Sequence, residues 1–140
     1  MRSSERFIFL IGQARNRLFT KLDQALLSAG GITAVQSGAL YYLLENDGCQ
    51  FVELSKGLML DKSSITGLID RLEEKGLVER KPCTNDRRAL NVYLTGSGRD
   101  AAKKCLGITK EFNSKIIKGM SEEEAATFAA VLKKMIKVFS

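Results

Sequence analysis

Histidine is absent from this 140-residue chain, and its absence removes several chemistries at once. There is no Ser-His-Asp or Cys-His pairing, no imidazole metal site, and no side chain with an unperturbed pKa near neutrality. Tryptophan is also missing and aromatic residues make up only 7% of the chain, so aliphatic side chains must fill most of the core that a 44% apolar content can build. The three cysteines, Cys49, Cys83 and Cys105, lie far apart and form no CxxC pair. A dispersed, odd set suits a reducing compartment better than a disulfide framework. No apolar run is long enough to span a bilayer, and the polar opening Met1-Arg2-Ser3-Ser4-Glu5-Arg6 does not read as a signal peptide. The expectation is a soluble, cytoplasmic, single domain over 1–140, with no membrane association, metal site or cofactor.

What the chain does have is positive charge. Twenty-two Lys and Arg against sixteen Asp and Glu give a formal net charge of +6. That balance favours a polyanionic partner, but alone it does not separate nucleic acid from a membrane surface or from a basic surface with no partner.

Apolar spacing sets the order of elements. Phe7, Ile11, Ala14, Leu18, Leu22 and Ala25 recur in steps of three and four, which predicts a helix over about 4–29, stopped by Gly30 and Gly31. Thr33 with Gln36 resembles a capping box opening a second helix through Leu40, Leu43 and Leu44. A short segment, 49–51, leads to a third helix near 52–58, and Asp61 is a good N-cap for a fourth that ends at Gly76. Residues 77–81 read as a strand, 82–88 as a polar turn and 89–94 as a second strand with Leu90, Val92 and Leu94 on one side. A long helix follows over about 97–118. Ser121 and Glu124 then cap a last helix carrying Phe128, Val131, Leu132, Met135, Ile136 and Phe139 on one face. The fold class is mainly α with a small β-hairpin wing.

A short helix, a tight connection, a second helix and a basic hairpin together suit duplex DNA, because the major groove admits one helix and the hairpin can touch backbone or minor groove beside it. In the fourth helix the core stripe holds Ile65, Leu68, Ile69 and Leu72. The opposite face presents Ser63, Thr66, Gly67, Asp70 and Glu74, with Lys62 and Arg71 beside it within reach of phosphates. Its small, hydroxyl-bearing N-terminal half can approach base edges. An ordinary solvated helix face has the same pattern. From position 80 to 99 the basic residues Arg80, Lys81, Arg87, Arg88 and Arg99 outnumber the single acid Asp86. Arg87 and Arg88 at the hairpin tip are the strongest candidates for phosphate or minor-groove contact, the alternative being a solvated charged turn.

The run DKSSITGLIDRLEEKGLVERKPCTNDRRALNVYLTGSGR, at 61–99, carries a resemblance. From 31 to about 99 the chain resembles the MarR family of bacterial regulators. Particularly specific are Asp61-Lys62-Ser63, the stretch from Asp70 to Val78, and Asn85-Asp86-Arg87-Arg88 followed by Leu94-Thr95. The resemblance implies a winged helix-turn-helix lobe over about 32–95, flanked by dimerisation helices at 1–30 and 96–140 that interdigitate in a triangular homodimer. It places Ser63, Ser64 and Thr66 at the start of the recognition helix and Arg87 and Arg88 in the wing, with Asp86 orienting a neighbouring arginine rather than meeting DNA. One departure is Gly67, where many members carry a basic residue; guanine recognition from that position is then lost. Glycine inside a helix also costs on the order of 1 kcal/mol against alanine, which close backbone approach would offset.

The terminal apolar faces fit dimerisation on physical grounds too, although a core within one subunit would also bury them. A dimer presents two recognition helices to a pseudo-palindromic operator. The resemblance further implies a small aromatic or anionic effector between the dimer helices and the DNA-binding lobe, where Arg15, Tyr41 and Tyr42 are candidate lining residues; the two tyrosines also fit core or rim positions. Two weaker signals stand apart. Residues 96–101 match a dinucleotide fingerprint, but no second parallel strand follows, so a helix start with flexible glycines is the better reading. Cys83 lies among basic residues that would stabilise a thiolate, yet none of Cys49, Cys83 or Cys105 sits in the first helix, and inert thiols are the simpler reading. The expected function is sequence-specific transcription regulation, a repressor released by its effector. The competing expectation is a winged-helix module that docks protein without sequence-specific DNA binding. No cluster of ligands, activated nucleophile or phosphate loop supports an enzyme.

Overall fold

Local hydrogen bonding opens or closes several of the helices where the spacing predicts. The computed structural model describes residues 6–85 and 88–140. In chain order its elements are α1 (Phe7–Gly30), α2 (Ala34–Glu45), β1 (Cys49–Gln50), α3 (Phe51–Leu58), α4 (Lys62–Glu74), β2 (Val78–Pro82), β3 (Leu90–Leu94), α5 (Gly96–Lys118) and α6 (Glu122–Val138). α1 ends on Gly31, which takes a φ of 69° and donates its N–H to the Leu27 carbonyl. Thr33 Oγ1 accepts from the Gln36 N–H at 3.2 Å while Gln36 Oε1 accepts from the Thr33 N–H at 3.1 Å, a reciprocal cap that opens α2. Ser121 and Glu124 repeat the device at α6, both bonds at 3.0 Å. Gly76, at a φ of 72°, turns the chain out of α4 and into β2.

The predicted hairpin is part of a three-stranded antiparallel sheet of order β1-β3-β2. β1 is the addition: Cys49 pairs with Val92 and Gln50 with Asn91. Two residues are too few for alternation to be legible in sequence. Pro82, expected in the turn, closes β2 opposite Leu90, which is permissible because β2 is an edge strand. Leu90 also departs from its expected partners: Val92 and Leu94 are buried, whereas Leu90 is exposed because it pairs with the outermost residue of β2, beyond the buried part of the sheet.

The chain divides into two compact units, Met1–Ile108 and Thr109–Ser140, with the division falling inside α5. The first unit contains one aliphatic core. Leu26 of α1, Leu40 and Leu43 of α2, Leu54 of α3, Ile65, Ile69 and Leu72 of α4, and Val78 and Val92 of the sheet are all buried in it. The second unit contains the end of α5 and α6, and no residue of α6 is buried.

One glycine of the stretch 96–101, Gly98, has a packing role. Thr95 Oγ1 accepts from the Gly98 N–H at 2.9 Å and donates to the Gly76 carbonyl at 2.7 Å, fixing the start of α5 against the end of α4. Gly98 is buried, and a Cβ there would collide with the Leu77 carbonyl oxygen. The nearest obstacle is backbone, which cannot swing aside as the end of a side chain could. Gly98→Ala is therefore expected to lower stability by about 1–3 kcal/mol. Gly96→Ala, which meets open space, serves as the control. Thermal melts that put both variants at the parental midpoint would refute this packing role.

Candidate nucleic-acid interface

The connection between α3 and α4 is short and tightly held. Met59 adopts a left-handed φ of 56°, a conformation that costs a non-glycine residue roughly 1–2 kcal/mol. It is held in place from both sides: Ser55 Oγ donates to the Leu60 carbonyl at 2.5 Å, and the Leu60 N–H returns to the Ser55 carbonyl at 3.1 Å. Two residues later Asp61 caps α4, one carboxylate oxygen accepting from the Ser64 N–H at 2.7 Å and the Ser63 hydroxyl at 2.9 Å. The Ser64 backbone N–H, more than the neighbouring hydroxyls, holds the Asp61 carboxyl below the usual carboxylate range.

α4 buries Ile65, Leu68, Ile69 and Leu72 and leaves Lys62, Ser63, Ser64, Thr66 and Arg71 exposed. Thr66 donates its hydroxyl proton to the Lys62 carbonyl at 2.9 Å, so its oxygen keeps acceptor capacity toward the outside while its methyl group stays on the surface. Gly67 is half-buried and lies on the same outward side. These residues fall into two groups. Lys62, Thr66 and Arg88 border one cleft of about 360 Å³ between α4, the start of α3 and the wing. Ser63, Ser64, Gly67 and Arg71 border a second, of about 490 Å³, whose far wall is Thr33 with Val35 and Gln36 of α2. Asp86 and Arg87 lie outside the described residues.

One arginine expected among the general basic charge has a structural position. Arg80 of β2 places Nη2 2.6 Å from Asp70 Oδ1 and 2.8 Å from Glu73 Oε1, and its backbone N–H reaches Glu73 Oε2 at 3.3 Å. The same guanidinium lies 6.0 Å from the centroid of the Phe51 ring at the start of α3. The hydrogen bond from Arg80 is the main reason the Glu73 carboxyl titrates below its ordinary value. Asp70, read from spacing as an outward residue, is half-buried and committed to this contact. Arg99 is likewise engaged, with Nη2 2.7 Å from Asp47 Oδ2, while Asp47 Oδ1 accepts the Leu94 N–H at 2.8 Å. Sequence spacing gave no sign of either pairing, nor of the α2 wall beside α4.

The residues expected around an effector border neither of these clefts and have separate surroundings. Arg15 stacks on Phe19 of its own helix at 4.9 Å, Tyr41 is exposed, and Tyr42 packs over Gly57 so closely that a Cβ there would collide with its ring. A crevice of about 530 Å³ does lie beside the end of α1, but its walls include Leu26, Lys75, Leu77, Lys104 and Ile108 and none of those three. Among the thiols, burial pushes Cys49 up to about 11 and also raises Cys105. Cys83 is half-buried, with Gln50 Nε2 4.0 Å from its Sγ.

Comparison with known proteins follows the same stretch. Residues 30–89 match the model of the MarR family. The multiple antibiotic resistance protein MarR of Escherichia coli strain K12 is 33% identical over 132 residues, covering 94% of this chain and 89% of that protein. Among solved structures, S. aureus MepR in a DNA complex superposes with a TM-score of 0.90 at 28% identity, over 96% of this chain and 98% of that one. A mutant E. coli MarR complexed with operator DNA gives a TM-score of 0.78 at 32% identity, over 93% and 96% of the two chains.

Two outcomes follow from the geometry. Glu73→Gln should cost on the order of 1 kcal/mol at neutral pH, a modest figure because the carboxylate is solvent-screened. A carboxyl with a depressed folded-state pKa contributes stability above its unfolded pKa and loses it as pH falls through the folded one. The gap between parent and Glu73→Gln in urea melts should therefore close in acid; a gap that widened would contradict the Arg80 pairing. Iodoacetamide at pH 8 should label Cys83 before Cys49 or Cys105 in the folded protein, as read by peptide mass spectrometry. Equal labelling of all three would contradict the burial described.

Proposed function

The chain belongs to the MarR family, and from that premise we propose that it is a cytoplasmic homodimeric regulator that binds a pseudo-palindromic operator in duplex DNA. The observation that carries the reading is the cleft bordered jointly by Lys62 and Thr66 of α4 and Arg88 of the wing. Helix and wing residues that are far apart in sequence thus face a common space, as one duplex would require. In this reading Ser63, Ser64, Thr66 and Gly67 approach base edges, Lys62, Arg71, Arg87 and Arg88 supply positive charge, and Asp86 orients a wing arginine. The helix-turn-helix with its wing, about 32–95, is the DNA-binding lobe. Segments 1–30 and 96–140 supply the dimer contacts.

Dimerisation draws support from apolar surface that a single chain leaves exposed. Phe128, Val131, Leu132 and Ile136 form one exposed stripe on α6, and Phe7, Ile8, Phe9, Leu10 and Ile11 are all exposed at the start of α1. Exposed apolar area of this extent marks an association surface, and a symmetric partner would bury both sets. Operator occupancy acts as repression in this reading, relieved by a small aromatic or anionic effector. Effector binding would favour a dimer whose recognition helices no longer match the groove spacing.

Selection of bound fragments from random duplex, followed by fluorescence anisotropy, tests the proposal. The parent should enrich an inverted repeat and lose affinity steeply as salt rises. Arg88→Ala should weaken binding to every duplex and lower the salt slope by about one, whereas Thr66→Ala should alter the preferred sequence. Binding to no duplex in dilute buffer would leave the protein-docking reading in its place. By light scattering the parent should be a dimer and Leu132→Asp with Ile136→Asp a monomer; an unchanged mass would refute the α6 interface. A thermal-shift panel of aromatic acids that leaves the melting temperature unmoved would refute the effector.

A further inference from the structure

The outward face of α4 contains a gap and a side chain that fills it. Taking about 100° per residue, the core stripe centres between Ile65, Leu68, Ile69 and Leu72, and Ser63 and Gly67 lie near the opposite pole. Arg71 begins roughly 40° to one side of Gly67, on the flank toward α2. Backbone position alone would give it a phosphate. Its side chain, however, runs back along the helix, as long helical side chains do. Nη1 comes within 3.7 Å of the place a Gly67 Cβ would occupy. The guanidinium thus lies beside the glycine, in the groove with Ser63 and Ser64.

Charge leaves this group available. No acidic residue lines the groove, and among the described residues no ion pair engages Arg71. Arg80 and Arg99, by contrast, are committed to Asp70 with Glu73 and to Asp47. A guanidinium over the centre of a major-groove helix matches one base edge above the others, the O6 and N7 acceptors of guanine, which it can contact with two parallel hydrogen bonds. We infer that Arg71 is a base-reading residue, that its guanidinium is delivered across Gly67 to a guanine in each half-site, and that Gly67 is there to leave the path open. The inference rests on the DNA-binding reading above.

Selection from random duplex with four proteins tests it. The parent should enrich a guanine at one fixed position in each half-site. Arg71→Ala and Arg71→Lys should both lose that preference, about tenfold to a hundredfold between the guanine site and its substituted counterpart. Arg71→Lys should keep the parental salt slope, because the charge remains while the fork is lost. Gly67→Leu should reproduce the loss by occupying the path of the guanidinium. Gly67→Ala should not, since a Cβ at 3.7 Å is ordinary contact. The inference is overturned if the parental motif has no fixed guanine, or if Arg71→Ala weakens all duplexes equally and lowers the salt slope by one, the signature of a phosphate contact. A parent that binds no duplex overturns the DNA-binding reading along with it. Circular dichroism melts of each variant separate lost preference from lost folding.

Discussion

The Arg80 guanidinium is the constraint on which the geometry of the candidate interface depends. It leaves β2, reaches two carboxylates on successive turns of α4, and lies against the aromatic ring that opens α3. Wing strand, outward helix and preceding helix therefore share one charged joint. The helices also share the aliphatic core, which holds them together, but the hydrophobic driving force itself has no direction. A forked donor between two carboxylates is directional. It adds a directional tie between α4 and the sheet to the orientation that the buried stripe of α4 already imposes.

Positive charge on this chain is divided between holding the fold and facing away from it. Lys75 donates to the Gly31 carbonyl at 2.6 Å and to Gln36 Oε1 at 2.8 Å, and Lys104 donates to the Ala29 carbonyl at 2.7 Å. Both ammonium groups therefore meet the C-terminal end of α1, where the helix dipole is negative. Arg80 and Arg99 are paired with acids. Around α4, Lys62 and Arg71 instead border two grooves. A net charge of +6 thus says less about a partner than the positions of these few side chains.

The apolar side chains divide in a comparable way. Those of α2, α3, α4 and the sheet converge on one core, while α6 buries nothing within its own unit. A helix with an exposed apolar stripe would gain stability from a partner that covered it. This links subunit association, in the proposed reading, to the stability of the helices that make it.

The helix ends were legible in the sequence because each is settled within four residues: Thr33 with Gln36, Asp61 with Ser64 and Ser121 with Glu124 are neighbours whatever the rest of the chain does. The apolar stripe of α4 was legible for the same reason, since 3.6 residues per turn fixes which side chains share a face. Tertiary structure alone decided the pairing of Cys49 with Val92, the capture of Asp70 and Glu73 by Arg80, the close seat of Gly98 on Leu77 and the open α2 wall beside α4. Those features join residues that no local rule brings together. A charge on a helix looks alike in sequence whether it faces water or a partner, because only the folded distance decides how strongly two charges interact.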